Sequence, residues 1–429
     1  MTRTKAISRQ VRRILCAVLA VTFSLLTAVS CAGGDSPNGT SGKQRYPLVF
    51  VHGLGGFGED SVQTADLGIQ YWSVTSGPFL SRLRADYGYE LYAPSINSNA
   101  SAWDCACELY AKLMGVTVDY GKAHSKTHNH AQFGAEYTEP YLPAWSSERK
   151  IHLIGHSFGG VTIQLFTELM ANGSAAERAA SGKAVSPLFK GGKADWIQSV
   201  TTLCSPNNGS SAMELLDLAE IVGLGARAFT NTFTGSLLLK GIEALNIKYM
   251  GLNIAEVIKA AATEDTAFYD CRIANSAARN ASLHTQSNIY YFAYAFDATT
   301  QSILENKRIL TDAAKLPGLD LLAALIGSYE GTEVETVAGT ITVDEKWQAN
   351  DGLVNAISAL APFNAKQTDW PTEDITTAQF ASLTPGRWYN MPIQSGDHPT
   401  PCGMFVNNDY MDAFWLPFLA GLDQLAVNS

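Results

Sequence analysis

Gly155-His156-Ser157-Phe158-Gly159 sets a serine between small residues in a chain of 429. The run before it, KIHLI, reads as a buried strand, and the run after it, GVTIQLFTELM, reads as a helix. A serine at a strand–turn–helix junction of this kind is lifted clear of the sheet, in position to attack a carbonyl. It still needs a base to take its proton and a carboxylate to orient that base. In this setting the acid and then the base follow the serine along the chain. Only His284 and His398 follow Ser157. His398, in SGDHPT near the C-terminus, is the candidate base, and His284, in NASLHTQ, reads as a surface turn. The candidate acid is Asp351 in WQANDGLVN, whose Asn-Asp-Gly is also a turn signature, so a plain turn aspartate is the alternative. Developing negative charge on the substrate oxygen needs two backbone donors. One is the amide of Phe158, directly after the serine. The other is the amide of Leu54 in VHGLGGFG, where glycines let the backbone come close.

A second cluster competes for attention. His124, His128 and His130 lie within seven residues in HSKTHNH, out of eight histidines in the chain. Metal ligation, catalysis and a solvated loop are all open for it on residue types alone.

The elements that must position these groups follow from periodicity. YPLVFVHG, KIHLIGHS, IQSVTTLCSP, NIYYFAYAFD and RWYNMPIQSGDH read as strands. VTIQLFTELMANG, SAMELLDLAEIVGLGARAF and MDAFWLPFLAGLDQLA read as helices. Strands alternating with amphipathic helices predict an α/β fold with a mostly parallel sheet. No internal repeat and no second linker interrupt residues 45–429, which read as one domain with insertions. Residues 210–262 form a long stretch with Leu, Ile and Met at helical spacing. They fit ordinary core helices or a mobile lid over an apolar acyl groove.

Composition bounds the rest. Hydrophobic residues make up 46% and charged residues 16%, which is ordinary globular composition. The net charge of −10 argues against nucleic-acid binding, which needs clustered Lys and Arg. The first fourteen residues carry five Lys or Arg and no acid, and an apolar run of sixteen and SCAGG follow. That is an export signal pattern over 1–31, with a flexible linker over 32–44. Cys31 stands where a lipidated cysteine stands, although Ala28 occupies the position where such signals carry Leu. Lipid attachment at Cys31 and plain secretion both remain open. Beyond Cys16 and Cys31, five cysteines remain, so at least one thiol is unpaired.

The motifs together resemble the zinc-containing secreted bacterial lipases of the thermophilic-bacillus and staphylococcal type. The stretches that carry the resemblance are YPLVFVHGLGGFG, SAWDCACELYAKLMGVTVDYGKAHSKTHNHAQFG, IHLIGHSFGG, SPLFKGG, SVTTLCSPNNGS, TEDTAFYD, NDGLVN and GDH. They span roughly residues 46–400 in order. The resemblance implies an α/β-hydrolase fold with a helical lid and a zinc-binding insertion around 100–135. Two aspartates and two histidines hold the zinc in that family. By motif they are Asp104, His124, His130 and Asp265 here, with His128 left over. Four protein ligands close a tetrahedral zinc, so the site is expected to be structural. The family's calcium pattern is broken, because Thr400 stands where a glutamate is expected and Asp409 has the wrong spacing. The proposed zinc ligands must converge, so a disulfide between their sequence neighbours Cys105 and Cys271 is one hypothesis, with free thiols as the alternative. The implied activity is hydrolysis of acylglycerol esters by Ser157, Asp351 and His398 at a lipid interface, outside the cell or tethered to its outer face. No protein partner is implied. A short-chain carboxylesterase or thioesterase, and a non-catalytic lipid-binding protein, are the alternatives.

Overall fold

The computed structural model describes residues 45–429 apart from 74, 215–262, 305–306, 317–318, 330–331 and 428–429. The described residues lie in one contact unit, Gln44–Ser429. The expected export segment, linker and Cys31, and the expected lid from residue 215 onward, lie outside the described residues.

Seven strands form the central sheet: β1 Leu48–Val51, β2 Leu91–Tyr92, β3 Ile151–His156, β4 Ile197–Leu203, β5 Tyr290–Tyr294, β6 Gln367–Asp369 and β7 Arg387–Asn390. Their order is β6-β7-β5-β4-β3-β1-β2, and every pairing is parallel. β1, β3, β4 and β5 are buried along their whole length. Both faces are covered, which is why these strands read as unbroken apolar runs rather than alternating ones. Alternation still sorts the side chains between two cores. Val49, Val51, Leu153, Val200 and Tyr291 enter one core, with Phe158, Phe166 and Leu109. Leu48, Phe50, Ile154, Tyr290 and Phe292 enter the other, with Trp72, Trp415 and Phe418.

Four helices matter for the site: α1 Ala102–Met114, α2 Lys122–His128, α3 Phe158–Asn172 and α4 Asn408–Leu422. Ser101 caps α1 through the amide of Asp104, and Gly115 ends it at φ 65°. From β1 the chain moves outward to β2, then returns on β1's other side as β3 and continues toward β4. The loops after β1 and β3 therefore diverge, leaving a crevice at the carboxyl ends of these strands, where α/β sheets place their ligands. Among the described residues, no helix is long and apolar enough to cross a membrane.

Candidate active site

Ser157 sits between β3 and α3 with φ 55° and ψ −129°. This is left-handed backbone on a non-glycine residue, and such strain costs about 1–3 kcal/mol. Packing on both sides holds it. The Ser157 amide donates to Leu203 O at 2.8 Å. A Cβ on Gly159 would run into the carbonyls of Val51 and His52, so only glycine lets α3 start this close to β1.

The loop after β1 reaches the serine. A Cβ on Gly53 would stand 2.6 Å from Ser157 Cβ and 3.1 Å from its Oγ. The Gly53 amide donates to Tyr71 Oη at 3.1 Å, and the Gly55 amide donates to Ser98 O at 3.0 Å. Leu54, between them, keeps its N–H without a partner among the described residues. The Phe158 amide, in the first turn of α3, is likewise without one. The two amides expected as oxyanion donors thus flank Ser157 with their hydrogens unclaimed.

Asp351 and His398 meet. His398 Nδ1 lies 2.8 Å from Asp351 Oδ2, and the His398 amide donates to Asp351 O at 2.8 Å. Asp351 is 1% exposed and His398 6%. The other carboxylate oxygen, Oδ1, accepts from the amides of Leu353 and Val354 at 2.9 and 2.8 Å. The turn aspartate and the histidine partner are therefore the same residue, with one oxygen for each task. A carboxylate only accepts, so Nδ1 carries the proton and Nε2 is bare. The His398 carbonyl is in turn held by His156 Nε2 at 2.9 Å. Ser157 Oγ makes no hydrogen bond among the described residues, and proton transfer needs it to close to about 2.6–3.2 Å from His398.

Sequence reasoning missed three side chains here. His156 is buried beside His398, with ring centroids 4.7 Å apart. Its place next to the nucleophile was the available signal. Tyr71, which bonds it, lies 85 residues away and left no local pattern. Cys204 is fully buried at φ 51°, near His156 and His398, and burial pushes its thiol well up. His156, Cys204 and His398 lie close enough to suggest a cation, but hydrogen bonds already occupy both nitrogens of His156 and Nδ1 of His398. His284, the rejected base, is exposed and pairs with Glu168 at 2.9 Å.

The second cluster closes around a point. One ligand atom from each of Asp104, His124, His130 and Asp265 lies within 4.8 Å of the others. His124 Nε2 is 3.2 Å from Asp104 Oδ1 and 3.1 Å from Asp265 Oδ1. His130 Nε2 is 3.4 Å from Asp265 Oδ2. These are ion-pair distances, yet Asp104 Oδ1, Asp265 Oδ1 and both Nε2 atoms are buried without a properly directed hydrogen bond. Four such atoms facing one another are rare unless something satisfies them. His130 Nδ1 is 2.9 Å from Ala131 O, which fixes the proton there and turns a bare Nε2 inward. His124 stacks on Trp103, and Glu177 holds the start of α2 through the amides of Ala123 and His124. Burial alone would lower the His124 pKa, but the two carboxylates outweigh it and raise it to about 9. Burial would raise Asp265, but His124 and Ser101 bring it down to about 2. The donors, two imidazoles and two carboxylates, match zinc chemistry. His128 is the spare, its ring 4.5 Å from that of His124.

One expectation changes. Cys105 and Cys271 are not paired: both are free thiols, and Cys105 Sγ donates to Asn97 O at 3.1 Å. Proximity of their neighbours does not aim the sulfurs at each other. At the broken calcium position, Thr400 Oγ1 donates to Asp397 Oδ1 at 2.7 Å. Asp397 Oδ2 accepts from the amides of Lys315 and Leu316. Both oxygens of this carboxylate are thus taken by protein donors.

Comparison with known proteins supports the same frame. Residues 44–413 match the family described as "Lipase-like, C-terminal domain". A lipase of Staphylococcus hyicus is 33% identical over 387 residues, covering 86% of this chain and 55% of that protein. The chain spans about half the length of the curated relatives it matches. Among solved structures, EstA from Clostridium botulinum shares 32% identity at a TM-score of 0.71, covering 89% of this chain and 88% of that one. The Staphylococcus hyicus lipase structure shares 28% identity at a TM-score of 0.64, covering 92% and 95%. With its parallel sheet and these neighbours, the chain has the α/β-hydrolase fold and belongs to the lipase-like C-terminal domain family.

Proposed function

We propose that this protein is a serine lipase that hydrolyses the carboxylic ester bonds of acylglycerols. The observation that carries the reading is the Asp351 Oδ2–His398 Nδ1 bond, which leaves His398 Nε2 bare on a loop tied to the strained serine elbow. Ser157 Oγ attacks the ester carbonyl while His398 Nε2 takes its proton. The oxyanion is held by the Leu54 and Phe158 amides. His398 then gives the proton to the leaving alcohol. Asp351 keeps the imidazole in its working tautomer and stabilises its charge. In the second half His398 takes a proton from water, which attacks the acyl-enzyme. The fatty acid leaves and Ser157 recovers its proton.

The test is hydrolysis of a long-chain triacylglycerol emulsion beside a short soluble ester. Strong activity on the emulsion is expected. Activity on the soluble ester alone would make the protein an esterase, and activity on neither would remove the reading. The basic, apolar and small-residue pattern of residues 1–31 supports export, with Cys31 as a candidate lipid anchor.

Asp104, His124, His130 and Asp265 would hold zinc, which when bound supplies a rigid cross-link between α1, the α2 region and the segment before Thr266. Four protein ligands leave no open position, so the ion would be structural. Chelation with dipicolinate is expected to remove about one zinc per chain. Bound at about a thousand times its Kd, zinc contributes about 4 kcal/mol, so its removal lowers Tm by roughly 5 °C in a domain of this size. Ester hydrolysis well below that Tm should persist. An unchanged Tm, with no zinc found by atomic emission, would refute the assignment.

A further inference from the structure

Gly53 N lies 3.1 Å from Tyr71 Oη, Tyr71 Oη lies 2.6 Å from His156 Nδ1, and His156 Nε2 lies 2.9 Å from the His398 carbonyl oxygen. The direction of this chain of hydrogen bonds is set from both ends. A carbonyl oxygen only accepts, so His156 Nε2 carries the ring proton. Burial drives the His156 pKa well below its ordinary value, so the ring is neutral and Nδ1 is bare. Nδ1 therefore accepts from the Tyr71 hydroxyl, whose oxygen is left to accept from the Gly53 N–H. Burial raises the Tyr71 phenol well above its ordinary pKa, which keeps it a donor. Bonds aligned in one direction in a dry interior reinforce one another.

The chain joins the three segments that acyl transfer needs together. Gly53 directly precedes Leu54, His156 directly precedes Ser157, and the far end is the backbone of His398. The phenol ring is closely packed: a Cβ on Gly56 would come within 2.7 Å of Tyr71 Cε2. Its ring also meets His52, Phe57, Trp72 and His156. We infer that Tyr71 is a positioning residue that, through His156, aligns the Leu54 amide and the His398 loop on Ser157. Tyr71 itself touches no reacting atom. The inference rests on the Ser157–His398 reading above.

Tyr71→Phe removes one oxygen and keeps the ring. Losing an oxyanion donor outright costs about 10²–10³ in kcat, so misdirecting one is expected to cost about tenfold or more. The kcat on a soluble p-nitrophenyl ester, assayed well below Tm, should fall by that factor with KM unchanged. Tm itself should drop by a few degrees, because the Gly53 N–H and His156 Nδ1 lose their partner. Phosphonylation of Ser157 by a fluorophosphonate should slow in parallel. His156→Gln interrupts the chain from the other side, and the double variant should be no slower than the slower single. Wild-type kcat and labelling in Tyr71→Phe, or a loss that disappears once the assay is run well below the variant's Tm, would overturn the inference. If the wild type carries no label at Ser157, the serine reading fails and the inference with it. If it does, a null result for Tyr71→Phe removes the inference alone.

Discussion

Ser157→Ala is expected to lower kcat for ester hydrolysis by about 10⁵–10⁶-fold, with substrate binding nearly intact. The size follows from the chemistry, because no other nucleophile stands at the elbow and the acyl-enzyme cannot form. The Leu54 and Phe158 amides remain, so a residual rate of about 10³-fold over water should survive. The check is kcat on a soluble ester, with fluorophosphonate labelling as the second readout. Retained activity would remove Ser157 from the mechanism. The fold should be undisturbed, since the alanine keeps the same backbone and the same Ser157→Leu203 amide bond. Ser157→Gly makes a useful companion. It should be equally inactive yet more stable by about 1 kcal/mol, because glycine adopts φ 55° without strain.

The second large effect is at Asp351. Asp351→Asn should lower kcat about 10⁴-fold with little loss of stability. The amide oxygen can still take the Leu353 and Val354 amides, so the turn survives. The amide NH₂ then faces His398 and donates to Nδ1. That drives the ring proton to Nε2, where a base needs a lone pair. Asp351→Ala separates the two roles. It loses the same catalysis and also leaves two buried amides unpaired, at about 1–3 kcal/mol each. Full activity in Asp351→Asn would show that the aspartate serves only the turn, and equal Tm values for the two variants would show that it does not hold the turn.

The elbow and the dyad were legible because their signals are local. Gly-x-Ser-x-Gly needs only its flanking strand and helix, and Asn350-Asp351-Gly352 announces a turn wherever it sits. The inner strands were legible because burial on both faces leaves long apolar runs. The edge strands β2 and β6, of two and three residues, have no such run. The hairpins at 299–310 and 332–343 fall inside insertions that the α/β pattern does not anticipate. Helix α1 was read only as part of the metal motif, although Ser101 and Gly115 mark its ends. Tyr71 and Glu177 act across 85 and 53 or more residues, so their roles exist only once the chain is folded. The cysteine pair failed for a related reason, since sequence neighbours of converging groups need not converge themselves.

The all-parallel sheet has a consequence for how the chain reaches this state. Leu48 pairs with Leu91 and with His152, and the sheet's far side waits for Arg387–Asn390 to join Tyr290–Tyr294. No two neighbouring strands of this sheet form a local hairpin, so loop-closure entropy opposes its nucleation until distant segments are present. Topologies dominated by such non-local pairing fold slowly. The nascent chain therefore stays open until nearly all of it is available. That delay leaves long apolar strands exposed meanwhile, so refolding from denaturant should be slow and prone to aggregation.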